Sequence, residues 1–457
     1  MVRSWPLFTI WLVLAPVAAA AQTQTNPFLG SVPTGKTSAE PLALTLKDTV
    51  SRALQHNLGL LLQEEALRQA RGAKWRALED LLPNVSGSVS ERRQVLNLEA
   101  FGLPVNPPIV GPFNVFDARL AVSQPIVDVS ALNDAKAASL DERAEAHGIK
   151  SARDLVVLVA VNLYLQAIAS ASRIDVARAQ SDTAQALYRQ ASDLKASGLV
   201  AGIDVLRAQV QVQNQRQRLI VAENEFEKAK LQLARAIGLP TGQAFTLADK
   251  IPYAPLPDVS LDDALKRAYD SRADFQAARE RLAAAEATRR AAGAEILPTV
   301  HVDADYGTLG QQAPKAHPTY TVAANVRVPL FEAGRAQARR AESEALVNRR
   351  KAELEDLRGQ IDVDVRTAMF DVRAASQQLE AAQTTVSLAN QELEQARDRF
   401  AAGAASNIEV TQAQESVAAA SETYIAALYA HNLAKASLAR AVGIAETAIM
   451  QYVGGLK

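Results

Sequence analysis

The sequence contains no cysteine. This absence excludes disulfide bonds, thiolate catalysis, cysteine-bound metals and lipid attachment through an N-terminal cysteine. Aromatic residues are also scarce, at 5%, whereas compact cores are usually filled by large side chains. The 49 basic and 50 acidic residues almost cancel, so charge gives no reason to expect nucleic acid or an acidic substrate. Such an alanine-rich, charge-rich chain instead suits long helices packed closely side by side.

The N-terminus has the pattern of a secretory signal peptide, predicted over residues 1–21. Arg3 supplies the positive charge, and the apolar run from Leu7 to Val17 is followed by small residues and a predicted mature start at Gln22. The run is too short for a membrane anchor, which needs about 20 residues. No other stretch is taken to be long and apolar enough for a membrane helix. A mature protein that crosses a membrane would therefore do so as a closed β-barrel.

The chain carries one pattern twice. The matching landmarks, first repeat against second, are Leu46 and Leu261, Leu81-Leu-Pro83 and Ile296-Leu-Pro298, Gly198 and Gly403, and Ala236 and Ala441. The last two pairs have a shorter spacing, which places an insertion in the first repeat, within Phe101 to Phe113. We predict a flexible leader at 22–43, repeats at 44–240 and 259–445, a linker at 241–258 and a tail at 446–457.

Each repeat is predicted to contain a helix, two strands, a very long helix and a returning helix. The first helix is predicted from about Leu44 to Asp80 and from Leu261 to Ala294, in each case ended by a proline. The long helix from about Ala131 to Ala196 would measure about 100 Å. It is predicted to end in a tight hairpin at Gly198, with Asp204 at the start of the next helix. Gly403 and Asn407 repeat this arrangement.

The long helices show a heptad seam that pairs a large side chain with a small one. In the second repeat the large positions are Val365, Val372, Leu379, Val386, Leu393 and Phe400, and the small ones are Ala368, Ala375, Ala382, Ala389 and Ala396. Alanine at every small position lets helix axes approach closely. His431 falls on the seam of the returning helix and is interpreted as a packed residue rather than a ligand.

Four segments alternate apolar and polar residues as strands do, at about 85–93, 115–124, 299–308 and 319–329. The polar face of the last two carries His301, Asp303, Asp305, Asn325 and Arg327. A soluble sheet with one buried face is the alternative. Against it, no neighbouring element is left to cover the apolar face, and the chain is predicted to be exported. Four strands cannot close a barrel, so two chains giving eight strands or three giving twelve would be required.

These features together resemble the TolC-like outer-membrane efflux proteins, from Leu44 to about Ala445. The resemblance rests on the duplicated Leu-x-Leu openings, the two Leu-Pro junctions, Ser-Gln-Pro125, Val-Pro-Leu-Phe331, and the tips at Gly198 and Gly403. It implies a mostly α-helical fold with a small β part. It also implies a homotrimer in which a twelve-stranded transmembrane barrel joins a helical tunnel that crosses the periplasm. The protein would then be the outer-membrane exit channel of a tripartite efflux or type I secretion system, without cofactor or catalysis.

The resemblance also implies partners and site residues. The partners are a periplasmic adaptor and an inner-membrane transporter. The adaptor contact would lie at the tips, at Gly198, Leu199, Val200, Gly403, Ala404 and Ala405, and the pore entrance would include Asp204, Phe400, Glu409 and Gln412. Glu409 occupies the first acidic ring position of the family, whereas Gln412 departs from the second. The family's entrance lock also departs, because Phe400 and Ala405 replace its tyrosine and arginine.

Several alternatives stay open at this point. Asp204 and Glu409 are equally well explained as solvated residues at helix starts. A metal bound by His301 and Asp303 is disfavoured against an ordinary polar pore lining. A periplasmic coiled-coil adaptor is the alternative function, and a secreted hydrolase lacks any catalytic constellation. Drugs, metal ions, siderophores and secreted polypeptides all remain possible cargoes.

Overall fold

The computed structural model describes residues 26–35, 37–103, 105–198, 200–250, 253–255, 259–330, 334–402 and 404–453. The predicted signal peptide lies outside them. The helices are α1 Leu46–His56, α2 Leu58–Glu79, α3 Val129–Ala196, α4 Gly202–Ala236, α5 Leu261–Ser271, α6 Ala273–Ala294, α7 Arg335–Ala401, α8 Asn407–Ala441 and α9 Ala445–Val453. The strands are β1 Leu42–Leu44, β2 Asn84–Asn97, β3 Ile109–Val127, β4 Phe245–Leu247, β5 Thr299–Gly310 and β6 His317–Arg327. The predicted fold class, mostly helical with a small β part, is confirmed.

The long helices follow the predicted heptads. α3 and α7 have 68 and 67 residues, and each returns through a 35-residue helix, α4 or α8. The predicted alanine positions are buried along α7, as are Val365, Leu379 and Phe400. His431 is 1% exposed, which confirms that it is a packed residue. Small side chains in the seam thus allow each pair of helices to lie close over its whole length.

The first helix of each repeat is broken, which the prediction of one continuous helix missed. Asn57 separates α1 from α2, and Arg272 separates α5 from α6, each with an extended backbone. Asn57 caps α2 by accepting hydrogen bonds from the N–H groups of Gly59 and Leu60. The first helix also begins later than expected, because Leu44 ends a strand and Thr45 forms a capping box with Asp48.

The leader before Leu44 was expected to be flexible, and this was wrong for residues 26–35 and 37–43. β1 pairs in parallel with β4, which belongs to the predicted linker. The N–H of Val32 donates to the carbonyl of His56 at 2.9 Å, and the side chain of Asn57 donates to the carbonyl of Phe28 at 2.7 Å. The leader therefore forms a strap that joins the start of the first repeat to its end.

The main sheet is antiparallel in the order β2-β3-β5-β6. All four predicted strands are present, and β2 and β3 extend further than expected because part of the proline-rich insertion continues their hairpin to Asn97 and Ile109. Among the described residues, β2 and β6 have no strand on their outer sides. The apolar face is exposed, for example at Val89, Tyr320 and Val322.

The main core surrounds the middle of α3, with Tyr164 fully buried at its centre. α9 contributes Ile449 and Val453 to this core, so most of the predicted tail is a packed helix. One helix of the described part, α3, is long and apolar enough by composition to cross a membrane. The expectation that no such stretch follows the signal peptide was therefore wrong. Because 61% of that apolar window is buried inside the molecule, its composition is explained by the core.

Candidate functional site: the hairpin tips, the helix interface above them and the polar sheet face

The first tip turns at Gly198, between α3 and α4. Gly198 has a φ of 74°, in the left-handed region that favours glycine, and its N–H donates to the carbonyl of Lys195 at 3.0 Å. A Cβ would meet only open space here, so backbone conformation is what requires glycine. This confirms the predicted helix end. Val200 is half-buried, and Leu199 lies outside the described residues.

Asp204 lies at the start of α4, as predicted, although it is not the capping residue. α4 begins at Gly202, with Ala201 at the cap position, so Asp204 lies in the first helical turn. Its carboxylate faces the guanidinium of Arg207 at 3.5 Å. An acidic residue in this position stabilises the helix N-terminus.

The second tip is closed by hydrogen bonds at the end of α7. The N–H of Ala404 donates to the carbonyl of Arg399 at 2.9 Å. Ala404 is exposed and Ala405 is half-buried, whereas Gly403 lies outside the described residues. Glu409 and Arg399 form an ion pair at 3.5 Å, and both side chains are largely exposed to solvent.

Phe400 and Gln412 occupy different environments near the second tip. Phe400 is 4% exposed and packs with Leu187, Ala396, Val410 and Ala413. Within one chain its side chain therefore joins α3, α7 and α8, and its assignment to the pore entrance stays a prediction. Gln412 is exposed and lines an apolar notch between α4 and α8.

A polar link between the two hairpins is centred on Glu415 of α8, which the sequence did not reveal. Gln211 donates to its Oε1 at 2.8 Å, and Arg218 donates to its Oε2 at 2.7 Å. Gln215 also reaches Oε1, at 3.4 Å. Burial would raise the pKa of Glu415, but the bonds from Arg218 and Gln211 outweigh it and hold the pKa below its usual value.

A signal for this link was present in the heptads. Gln215 stands at a small position of the α4 seam, where the pattern otherwise favours alanine. It is 1% exposed, and buried amides need hydrogen-bond partners. The partner lies about two hundred residues away in the chain, and one sequence read by its periodicity does not identify it.

The polar face of the sheet is organised by two hydrogen-bonded groups. Asp303 accepts from Ser123 Oγ at 2.5 Å and from Asn325 Nδ2 at 2.7 Å. Arg119 bridges Asp305 at 2.6 Å and Asp117 at 2.7 Å. Sequence reasoning found the acids of β5 but missed their partners on β3, because cross-strand pairing had not been assigned.

Two further observations bear on this face. Gly307 lies opposite Arg119. A Cβ at Gly307 would clash first with the backbone carbonyl of Ala118 and then with the Arg119 side chain, at 2.7 Å. Glycine at this position therefore allows β3 and β5 to approach closely. His301 and Asp303 do not form part of a metal-ligand cluster, since the described residues contain no group of three or more candidate ligands. Arg327 is exposed at the end of β6.

The comparisons with known proteins decide the family. The model of the outer membrane efflux protein family matches residues 49–239 and 264–444. The chain belongs to this family. It is an outer-membrane exit channel for efflux, and its family and fold are those of passive channels. The alternative of a periplasmic adaptor is thereby set aside.

Relatives of this efflux protein agree with that assignment. The pyoverdine export outer membrane protein OpmQ of Pseudomonas aeruginosa is 26% identical over 87% of this chain and 85% of its own length. Two solved structures share the fold at 16% identity. The Campylobacter jejuni CmeC outer membrane channel has a TM-score of 0.77, with 92% of each chain covered. The open state of the Neisseria gonorrhoeae MtrE outer membrane channel has a TM-score of 0.76, covering 91% of this chain and 95% of that one.

Proposed function

We propose that the efflux protein works as a homotrimer, in which three copies of the four-stranded sheet close one twelve-stranded barrel in the outer membrane. The trimer would be the passive exit duct of a tripartite efflux or type I secretion system, without catalysis or cofactor. Residues 1–21 would direct export. The repeats at 44–240 and 259–445, joined by the linker at 241–258, would supply equivalent parts of the wall.

The observation that carries this proposal is the incomplete sheet. Its apolar face is exposed at Val89, Tyr320 and Val322, as the lipid-facing side of a membrane barrel requires. The opposite face carries the hydrogen-bonded polar groups of β3 and β5. β2 and β6 have no outer neighbour among the described strands. Unpaired strand edges are not tolerated in lipid, because each free N–H or C=O costs several kcal/mol there. Pairing β6 of one copy with β2 of the next removes both edges.

The helices support the same arrangement. In the lower part of the molecule they follow the order α4, α3, α8, α7, so α4 and α7 are the outer members. Both outer helices expose large apolar side chains to solvent in the single chain. Those on α4 include Val210, Ile220 and Leu231, and those on α7 include Val363, Phe370 and Leu388. Burying these two surfaces against each other would close a twelve-helix tunnel with a hydrophobic driving force.

The tips are the proposed docking region for a periplasmic adaptor that connects the duct to an inner-membrane transporter. We assign this contact to Gly198, Leu199, Val200, Gly403, Ala404 and Ala405, and the pore entrance to Asp204, Phe400, Glu409 and Gln412. The ion pair between Glu409 and Arg399 lowers the net charge that Glu409 would bring to the entrance. The pyoverdine export protein among the relatives makes pyoverdine the first cargo to test.

Two measurements test this proposal. The detergent-solubilised protein should have the mass of three chains, and recovery as a monomer would contradict the shared barrel. Gly198→Pro should abolish export while leaving that mass unchanged, because proline cannot adopt a positive φ at the tip. Normal export by this variant would refute the role of the tip.

A further inference from the structure

The two β-hairpins of the main sheet are built in the same register. Asn84 pairs with Ser123 in the first hairpin, and Thr299 pairs with Arg327 in the second. Asn84 and Thr299 each directly follow the proline that ends a helix. Ser123 and Arg327 each stand two residues before another proline. Residues at equivalent positions of the two repeats therefore have equivalent partners in the structure.

The two hairpins meet inside one chain where β3 pairs with β5, a contact called here the internal join. Ser123 lies opposite Asp303 in this join, and Ala121 lies opposite Asp305. Side chains also bond across it, because Ser123 Oγ donates to Asp303 at 2.5 Å and Arg119 contacts Asp305 at 2.6 Å. The internal join therefore shows how the last strand of one hairpin meets the first strand of the next.

The outer edges of the sheet are the equivalents of the two strands at the internal join. β6 is the second strand of its hairpin, as β3 is, and β2 is the first strand, as β5 is. On β6, Arg327 stands where β3 has Ser123. On β2, Ser88 stands where β5 has Asp303. The register of the internal join, applied to the two outer edges, therefore sets Arg327 opposite Ser88.

We infer that β6 of one copy pairs with β2 of the next copy in the register of the internal join, with Arg327 opposite Ser88. Two residues away, Asn325 then lies opposite Ser90 of the next copy. The two strands run antiparallel, because each neighbouring pair in the order β2-β3-β5-β6 is antiparallel. The inference rests on the proposed homotrimer and adds which residues of two copies meet.

The two faces of the sheet continue across this pairing. Ser90 and Asn325 each have an aspartate as a neighbour on the polar face. The adjacent pair on the apolar face is Val89 with Val326, and both valines are exposed in the single chain. A slip of one residue would turn every side chain of one strand to the opposite face. A slip of two would keep the faces, so the register of the internal join is what selects between these pairings.

Disulfide cross-linking tests the register, because the chain has no cysteine and each double variant carries only two thiols. Ser88→Cys combined with Arg327→Cys should give a covalent trimer on a denaturing, non-reducing gel after outer membranes are oxidised with copper phenanthroline. Ser90→Cys combined with Asn325→Cys should do the same. Opposed residues of antiparallel strands have Cα atoms about 4.5 to 5.5 Å apart, within reach of a disulfide. Inside one chain, β2 and β6 are three strand spacings apart, about 14 Å, which is too far.

The crossed combinations are the matched controls, since they use the same four positions shifted by two residues. Ser88→Cys with Asn325→Cys, and Ser90→Cys with Arg327→Cys, should both remain single chains on the gel. Stronger cross-linking of the crossed pairs, equal cross-linking of all four pairs, or no link in either matched pair of a protein with the mass of three chains would overturn the register. A monomeric mass would instead overturn the proposed homotrimer, so the two failures are distinguishable.

Discussion

The first helix of each repeat is interrupted at an equivalent position. Different contacts stabilise this interruption in the two repeats. In the first repeat, Asn57 caps α2 and holds the strap through the carbonyl of Phe28. In the second repeat, Arg272 donates to Asp364 of α7 at 2.8 Å and to Asp274 at 2.7 Å. The same backbone bend is therefore stabilised by a neutral cap in one case and by the ion pairs of a buried arginine in the other.

A second pair of equivalent residues shows the same divergence. Lys230 lies over the rings of Phe226 and Phe245, at 5.3 and 5.4 Å. Lys435 is fully buried and donates to the carbonyls of Ala254 and Val453. Lys230 thus contacts β4, which follows its hairpin, whereas Lys435 contacts both the linker and α9. Duplication preserved the positions of these side chains, while the differing segments around them changed what they contact.

Arg272→Ala should be the most damaging of the changes that test this comparison. It removes a buried charge that pairs with both Asp274 and Asp364, and losing a buried partner from such pairs costs about 3 kcal/mol. The loss is measured as reduced stability of the solubilised protein in thermal unfolding. Arg366→Ala is the control, since its pair with Asp362 has the same 2.7 Å separation but is exposed, and it should change little. Equal losses of stability in the two variants would show that the burial of Arg272 does not make its ion pairs more stabilising than the exposed pair of Arg366 and Asp362.

Lys435 should make stability depend on alkaline pH. Burial lowers its pKa to about 8, below the unfolded value, so between these two pKa values the unfolded state binds more protons than the folded state. Stability should therefore rise with pH, by about 2 kcal/mol between pH 8 and pH 9.5. The measurement is denaturant unfolding of wild type and Lys435→Met across this range. If the stability of Lys435→Met rises by the same amount, other titrating groups cause the rise.

Asn57→Ala should cost about 1 to 2 kcal/mol, because it removes a helix cap and the bond to the strap. Asn390→Ala provides a reference on α7, where an exposed asparagine donates only to its own helix. Hydrogen exchange should also show faster exchange at the N–H of Leu60 in the Asn57 variant. Unchanged exchange would mean that packing of Phe28, rather than the cap, holds the bend.

Glu415→Ala should have the smallest effect, about 1 kcal/mol, because its ion pair with Arg218 is partly exposed. Most of the lost stability comes from leaving the amide donors of Gln211 and Gln215 without their acceptor. Glu422→Ala removes only the exposed pair with Arg173 and should cost less. If the two glutamates prove equivalent in thermal unfolding, the buried glutamines contribute nothing to joining the repeats.

Much of the architecture follows from periodicity and was predicted. Prolines at 83 and 298 end the helices before the strands, and the alternation from Thr299 to Arg327 marks β5 and β6. Sequence reasoning failed where the partner was distant or unrecognised. Phe400 was assigned to the entrance from the family resemblance, and its burial among three helices depends on packing that the sequence does not show. The leader looked flexible because its contacts are supplied by residues far along the chain.

The sequence by itself determined the local geometry of this protein. Heptads with alanine specify close helix pairs, and a glycine at 198 permits the left-handed turn, because these effects act between neighbours along one chain. Only the tertiary structure decided which distant groups meet. Glu415 with Gln211 and Arg218, and Asn57 with Phe28, depend on how separate elements are packed. A polar side chain gains its partner from that packing, so its role follows from the fold rather than from its own position in the sequence.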